Sequence, residues 1–289
     1  MQEKRLWFLF ILVSFSVSAQ IKGVVVDENN KPIPFVNIWV ENENIGTTSE
    51  EDGTFNINTT EKSQNLILSS LGYETKKTPI SQATIIVLKS KVITLDEVVI
   101  SKPKNTKEIE IGDLKKAFYL PEPQAIPWIF AKKVDIDKEN PDAIYIKNIT
   151  FLTHSDVEGA VFRVRVFSVN SQNMPDEDVL TNEVIVVTQK GRKKVTVDVS
   201  MYKLKVPTEG VIVGFESLFL EQNKYIQETN KEDVTFMNYD PHIYYQYINT
   251  EESYTFKLGR WIKQSFKNHY QKGKQNRVIA PVLTVTLNN

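Results

Sequence analysis

Three histidines and two acidic runs are the residues of this chain with the widest chemical repertoire. His154 opens the run His-Ser-Asp-Val-Glu, so Glu158 follows at four residues. On a strand-to-turn segment that spacing does not aim both side chains at one metal. His242 and His269 have no carboxylate three residues on. Asp176-Glu177-Asp178 and Glu50-Glu51-Asp52 fall among turn residues, where solvated carboxylates are expected. A glycosidase pair needs two carboxylates framed at about 5–9 Å. The same turns offer oxygen ligands to calcium, but neither has the ordered acidic spacing of a calcium loop. Cysteine is absent, which removes thiolate metal sites, disulfides and a cysteine nucleophile. The sequence also lacks a G-x-S-x-G elbow and a phosphate loop. No catalytic residue, metal ligand or cofactor is therefore assigned.

Aromatic residues are the more suggestive feature. Tyr239, His242, Tyr244, Tyr245, Tyr247, Tyr254 and Trp261 cluster in a stretch punctuated by Asn238, Pro241 and Asn249. Exposed aromatic faces stack on sugars and peptides, which makes Tyr239, Tyr244, Tyr245, Tyr247, Tyr254 and Trp261 candidate ligand-stacking residues. Tyrosines lining a core with their hydroxyls at its rim are the plain structural alternative. Nearby, Lys263, Lys267, Lys272, Lys274 and Arg277 alternate with Phe266, His269 and Tyr270. That is a solvated loop by default, and a contact for acidic glycans or anionic headgroups in its functional version.

Positioning any of these residues falls to β-strands, because no stretch after residue 20 sustains helical periodicity. IKGVVVD, KPIPFVNIWV, GTTSEEDGTFNI, NLILSSLGYETKKTPI and ATIIVLKS supply roughly six strands over residues 20–90. Val36, Ile38 and Val40 share one aliphatic face. Phe35, Asn37 and Trp39 alternate with them, which leaves Trp39 to cover the other face or an edge. Pro32 and Pro34 predict an extended approach, and Asp52-Gly53 a hairpin turn. Gly72, between Leu71 and Tyr73, marks a bulge or a close backbone approach.

A polar, proline-bearing linker follows at Lys102 to Lys107. Asp113 to Leu120 reads as a short helical turn or two, stopped by Pro121, Pro123 and Pro127. From Trp128 onward about eight strands are expected. Phe162, Val164 and Val166 share one face, with Arg163 and Arg165 on the other; Val195, Val197 and Val199 stand opposite Lys194, Thr196 and Asp198. Such a pattern favours an antiparallel sandwich or jelly roll.

The ordered motifs I-x-G-x-V-V-D, P-I-P-x-V-N-I-x-V, G-T-T-x-x-x-D-G-x-F-x-I and L-x-x-S-x-L-G-Y-E resemble the carboxypeptidase-regulatory-like (transthyretin-like) domains of exported Bacteroidetes proteins. The resemblance implies a seven-stranded sandwich acting as an accessory module, without peptidase activity. The zinc carboxypeptidase motif H-x-x-E is missing here. Thr94 to Ile100, reading TLDEVVI, is similar to a segment that follows such domains in TonB-driven outer-membrane receptors. About 190 residues remain after it, fewer than the roughly 22 strands of such a barrel demand, so a receptor barrel is not expected. In the second half, the order F-R-V-R-V-F, M-P-D-E-D-V-L, V-T-V-D-V and V-I-V-G-F-E-S is similar, more loosely, to the jelly-roll C-terminal halves that follow such modules in exported Bacteroidetes proteins.

The N-terminus carries Lys4 and Arg5, an apolar run from Leu6 to Val17 and the small-residue site Val17-Ser18-Ala19. That arrangement predicts a signal peptide cut before Gln20. Its apolar run of about 12 residues is short of the roughly 20 that span a membrane. With 35 basic and 36 acidic residues the net charge is −1, against the basic excess of nucleic-acid binders.

The expected architecture is thus all-β. A signal peptide (1–19) precedes a transthyretin-like sandwich (20–101), a linker (102–126) and a β-sandwich or jelly roll (127–289). The expected function is a non-catalytic, exported binding or assembly module of the cell envelope, in the periplasm or at the cell surface. Its partner would be an envelope protein or a glycan, with peripheral outer-membrane association open to it. A glycan- or peptide-acting hydrolase with its site in the second domain, and a purely structural envelope subunit, are the alternatives.

Overall fold

A computed structural model of the protein describes residues 19–59, 65–91, 108–120, 124–135, 144–228, 235–266 and 277–289. The signal segment up to Ser18, the TLDEVVI stretch, the Lys102 to Lys107 linker, Pro121, Pro123, and Lys267, His269, Tyr270, Lys272 and Lys274 lie outside these residues.

Seven short strands make the first pair of sheets: β1 (Ala19–Val26), β2 (Asn37–Val40), β3 (Gly46–Thr48), β4 (Thr54–Thr59), β5 (Asn65–Ser69), β6 (Lys76–Pro79) and β7 (Ile85–Val87). One sheet runs β4-β1-β7 and the other β3-β2-β5-β6. Among the described residues only β1 and β7 pair in parallel. Period-two alternation does what it promised, since Val36, Ile38 and Val40 enter a core with Val25, Phe55, Ile57, Leu66 and Leu68. At Gly53 the hairpin demands glycine: φ is +75° and a Cβ would lie 2.6 Å from the Val25 carbonyl oxygen. Gly72 also has positive φ (+77°) but nothing lies within 4 Å of its would-be Cβ. It serves a turn, not the close backbone approach expected of it.

The remaining strands are β8 (Ile109–Gly112), β9 (Ile129–Val134), β10 (Tyr145–Ser155), β11 (Val161–Val169), β12 (Pro175–Asp178), β13 (Val184–Val187), β14 (Gly191–Asp198), β15 (Val211–Ser217), β16 (Lys224–Glu228), β17 (Thr235–Tyr239), β18 (His242–Ile243), β19 (Tyr245–Ile248), β20 (Ser253–Lys257), β21 (Arg260–Lys263), β22 (Val278–Pro281) and β23 (Leu283–Asn288). They exceed the eight expected: β18, β19 and β21 form within the aromatic stretch, β8, β12, β16 and β17 form outside the expected runs, and the last expected run divides into β22 and β23. One sheet runs β14-β10-β23-β8, with β18 on β10. A larger one runs β12-β11-β15-β9-β20-β21, with β13 on β11. All their pairings are antiparallel. Phe151, Phe162, Val164, Val213, Phe215 and Val285 fill the space between the two sheets. Phe162 and Phe215 stack there at 4.5 Å.

Asp113 to Leu120 forms no helical turn. Its backbone makes a hydrogen-bonded turn, and Phe118 then bridges Tyr245. Reciprocal bonds of 2.8 and 2.9 Å to the Tyr245 backbone satisfy this extended stretch, leaving it no reason to coil. Among the described residues no helix is long and apolar enough to cross a membrane.

The β12-β11-β15-β9-β20-β21 sheet is buried on both faces. One face meets the Phe151 core, and the other meets the β3-β2-β5-β6 sheet through Trp39, Ile129, Ala131, Ile212, Tyr254 and Phe256. Strand β15 is buried along all seven of its residues, the pattern of a strand covered on both sides.

Candidate functional site

The seam between the two pairs of sheets gathers charge as well as apolar surface. Strand β11 sends Phe162, Val164 and Val166 into the Phe151 core, so its odd-numbered neighbours Arg163 and Arg165 must point at the N-terminal sandwich. Both are buried, at 0% and 5% exposure. Their counter-ion is Glu216 on the adjacent strand β15, itself 1% exposed. Its Oε2 accepts from Arg165 Nη1 at 2.8 Å and Arg163 Nη1 at 3.2 Å. The other oxygen, Oε1, accepts from Asn37 Nδ2 at 2.6 Å. Asn37 Oδ1 accepts from the Thr48 hydroxyl at 2.9 Å, and Thr48 Oγ1 accepts from the Phe219 N–H at 2.8 Å. A continuous chain of hydrogen bonds thus crosses the seam and returns.

Further ties flank it. Arg163 Nη2 donates to the Phe35 carbonyl at 2.8 Å and to Glu183 at 2.7 Å. Phe35 holds a φ of +56°, costly for a bulky side chain, and that turn hands its carbonyl to Arg163. Trp39, fully buried, donates its indole N–H to the Pro127 carbonyl at 2.9 Å and meets Phe256 edge-on at 5.7 Å. Gly46 leaves room for this: a Cβ there would sit 2.7 Å from Pro127 Cδ and 3.0 Å from Trp39.

Asp178 takes two bonds from Arg165. The Asp176-Glu177-Asp178 run is therefore not a solvated turn: it lies in β12, and Asp178 is pulled inward by Arg165. Burial opposes the charge on Glu216, but Arg165 and Arg163 outweigh it and hold its pKa below the ordinary 4.5. Burial dominates at Asp178 and Glu183, whose pKa values are raised despite the arginines. Two cations facing three carboxylates make this the expected order, with the best-paired carboxylate keeping its charge.

Beside Arg165 a cavity of about 190 Å³ opens between the sheets. The N-terminal sandwich contributes Ser70 and Lys91, and the larger sheet contributes Phe167, Asp176, Phe256 and Trp261. Ser70 is 5% exposed and its Oγ has no hydrogen-bond partner. Lys91 pairs with Glu177 across the opening.

A second cluster forms where β10 meets β18. His154 and His242 stand directly opposite in that antiparallel pair, a juxtaposition that sequence spacing could not show. The Tyr119 ring lies 4.7 Å from His154 and 6.0 Å from His242. Gln124 Nε2 lies 3.1 Å from His242 Nδ1, and Asp240 Oδ1 lies 3.5 Å from His242 Nε2. Burial, with His154 second, drives the His242 pKa down to about 4. Burial likewise raises Asp240, although the Asp156 and Val157 amides donate to it. Among the described residues no three His, Asp or Glu side chains are placed to hold a metal.

The candidate stacking residues disperse. Tyr254 is fully buried with its hydroxyl on the Asn173 carbonyl at 2.9 Å, and Trp261 stands near it against Phe167. Tyr244 packs on Tyr119 under Arg192. Tyr245 lies against Phe130, and Tyr247, 52% exposed, stacks on Phe118 with Arg277 over it. Tyr239 stacks on Phe219 at 4.0 Å. Of these, Trp261 alone lines the seam cavity.

Residues 21–100 match the family model described as CarboxypepD_reg-like domain. The chain is 22% identical over 189 residues to the TonB-dependent receptor SusC of Bacteroides thetaiotaomicron, covering 65% of this chain and 18% of the receptor. It is 30% identical over 93 residues to a TonB-dependent receptor of Formosa agariphila, covering 32% of this chain and 9% of that one. The chain spans less than a fifth of the length of either relative. Among solved structures, the cysteine protease and lectin-like domains of Cwp84, a surface layer associated protein of Clostridium difficile, superpose with a TM-score of 0.39 at 12% identity, over 65% of this chain and 37% of that one. A superposition that loose says nothing of activity.

Proposed function

Taking residues 21–100 as a CarboxypepD_reg-like domain, we propose that the protein is an exported, non-catalytic binding or assembly module of the cell envelope. In this reading the regulatory-like sandwich and the larger sandwich are two domains that act as one rigid body. The buried Asn37–Glu216–Arg165 chain across their seam carries the proposal. Burying ions between domains costs several kcal/mol each unless they are fully paired. A seam so built suits a fixed presenting surface and disfavours a hinge that opens for turnover. The likeness to envelope receptors and the signal-like N-terminus support the envelope placement.

The test is fractionation of the native organism with mass spectrometry of the mature N-terminus, followed by affinity capture from solubilised envelope. A mature chain starting at Gln20, recovered from the envelope with one stoichiometric partner, is the expected result. An intact Met1 in the cytoplasmic fraction would overturn it.

A further inference from the structure

We propose that the open edge of β13 docks a second copy of this chain, the two β13 strands pairing antiparallel about a two-fold axis at Val186. The inference goes beyond the binding-module reading and does not depend on where in the cell the protein lies.

Strand β13 hangs on β11 alone, and among the described residues no strand lies on its other side. Thr188, one residue beyond it, donates its N–H to the Ala160 carbonyl at 2.8 Å. Carried along the register, that bond turns the backbone groups of Val184 and Val186 toward β11 and those of Ile185 and Val187 away from it. Among the described residues the outward N–H and C=O groups of Ile185 and Val187 have no backbone partner.

End strands are commonly guarded by charge against the addition of another strand. Exposed Lys77 on β6, Glu110 on β8, Arg192 and Lys194 on β14 and Arg260 on β21 guard theirs. On β7 the Val87 carbonyl is capped by Lys76 Nζ at 2.7 Å. Strand β13 reads Val-Ile-Val-Val, with no charge and no proline. Val187 is 66% exposed, and the neighbouring acid, Glu183, is drawn to Arg163 at 2.7 Å.

A second β13 complements this edge group for group. With Val186 on the axis, Ile185 of each copy faces Val187 of the other, and each such pair exchanges both of its N–H···O=C bonds. Every outward group of both strands is then satisfied. The same register sets Glu183 opposite Gln189 and Asn182 opposite Lys190. Parallel in-register pairing would instead set Glu183 on Glu183 and Lys190 on Lys190, and like charges directly opposite destabilise a strand pair. With Glu183 before the strand and Lys190 and Arg192 after it, antiparallel pairing lays each copy's acidic end along the other's basic end. Such a contact is isologous and closes at two copies. Four residues span only about 13 Å, which puts it in the small, weak class of interfaces.

Sedimentation velocity of the mature chain from about 1 to 300 µM tests the pairing. A reversible dimer is expected, with a dissociation constant on the order of 10 µM, and with the Ile185 and Val187 amides gaining hydrogen-exchange protection as concentration rises. Val187→Lys should weaken the dimer by about tenfold or more and leave the unfolding midpoint in place. Val187→Thr, which keeps the β-branch, should stay within about threefold of the parent. Met201→Lys, at a 77% exposed position off this edge, should change nothing. A chain that stays monomeric across the range would overturn the proposal. So would a dimer that Val187→Lys leaves intact, one that Met201→Lys weakens equally, or one with no added protection at Ile185 and Val187. An envelope protein held through β13 by a chain that remains monomeric would likewise end the self-pairing assignment.

Discussion

Asn37 and Glu216, 179 positions apart in the chain, share a fully buried hydrogen bond of 2.6 Å. Glu216 also neutralises Arg163 and Arg165. Replacing it by Gln keeps the shape and leaves Arg163 with Glu183, and Arg165 with Asp178, as the remaining ion-pair partners of two buried guanidinium groups. Glu216→Gln is expected to lower the unfolding free energy by about 3–5 kcal/mol, read from urea denaturation. Asn37→Leu, which strips one bond from the carboxylate and one from Thr48, should cost about 1–3 kcal/mol.

Gly46 tests the apolar side of the seam. Its replacement by Val drives a branched side chain into Pro127 and Trp39, and overpacking of this kind costs about 1–3 kcal/mol. A Gly46→Val protein should lose that stability and show a red shift in tryptophan emission as Trp39 meets water.

The Lys91–Glu177 bridge also crosses the seam, yet its partners are 44% and 55% exposed. Exposed pairs contribute about 0–1 kcal/mol and are screened by salt. Lys91→Met should leave the urea midpoint nearly unchanged, in contrast to Glu216→Gln.

His242 sets a pH dependence. Its folded pKa is about 4 against an ordinary 6.5, so below pH 6.5 the unfolded chain binds a proton that the fold refuses. Stability is complete above that value and is lost as pH falls toward 4, by on the order of 3 kcal/mol. Asp240 acts in the opposite sense: burial raises its pKa above the ordinary 3.8, so the fold takes the proton first and its contribution shrinks as pH rises above that value. His242→Gln should flatten the slope of unfolding free energy between pH 6.5 and 4, and an unaltered slope would refute the assignment.

Much of the fold could be read from alternation and turns. The aliphatic face of Val36, Ile38 and Val40, the Gly53 turn and the β11 core residues all follow from a period of two. What covers the opposite faces did not follow, because periodicity says which residues share a face and not what lies on it. Arg163 and Arg165 read as an ordinary polar face; the carboxylate that allows their burial comes from β15, some fifty residues on. Trp39 in place of a polar residue was the one local sign that its face is covered. The aromatic stretch read as one patch, but its strands join different sheets, so Tyr239, Tyr245 and Tyr254 pack against different partners, Phe219, Phe130 and the Asn173 carbonyl. Pairing of His154 with His242 needed the register of β10 and β18.

Equilibrium urea unfolding followed by hydrogen exchange in β2 and β15 tests most directly whether the seam locks the two sandwiches into one body. Both strands should lose protection in a single transition with a common midpoint, and Glu216→Gln should split or lower it. Loss of β2 protection at a distinctly lower urea concentration, with β15 intact, would contradict a locked seam.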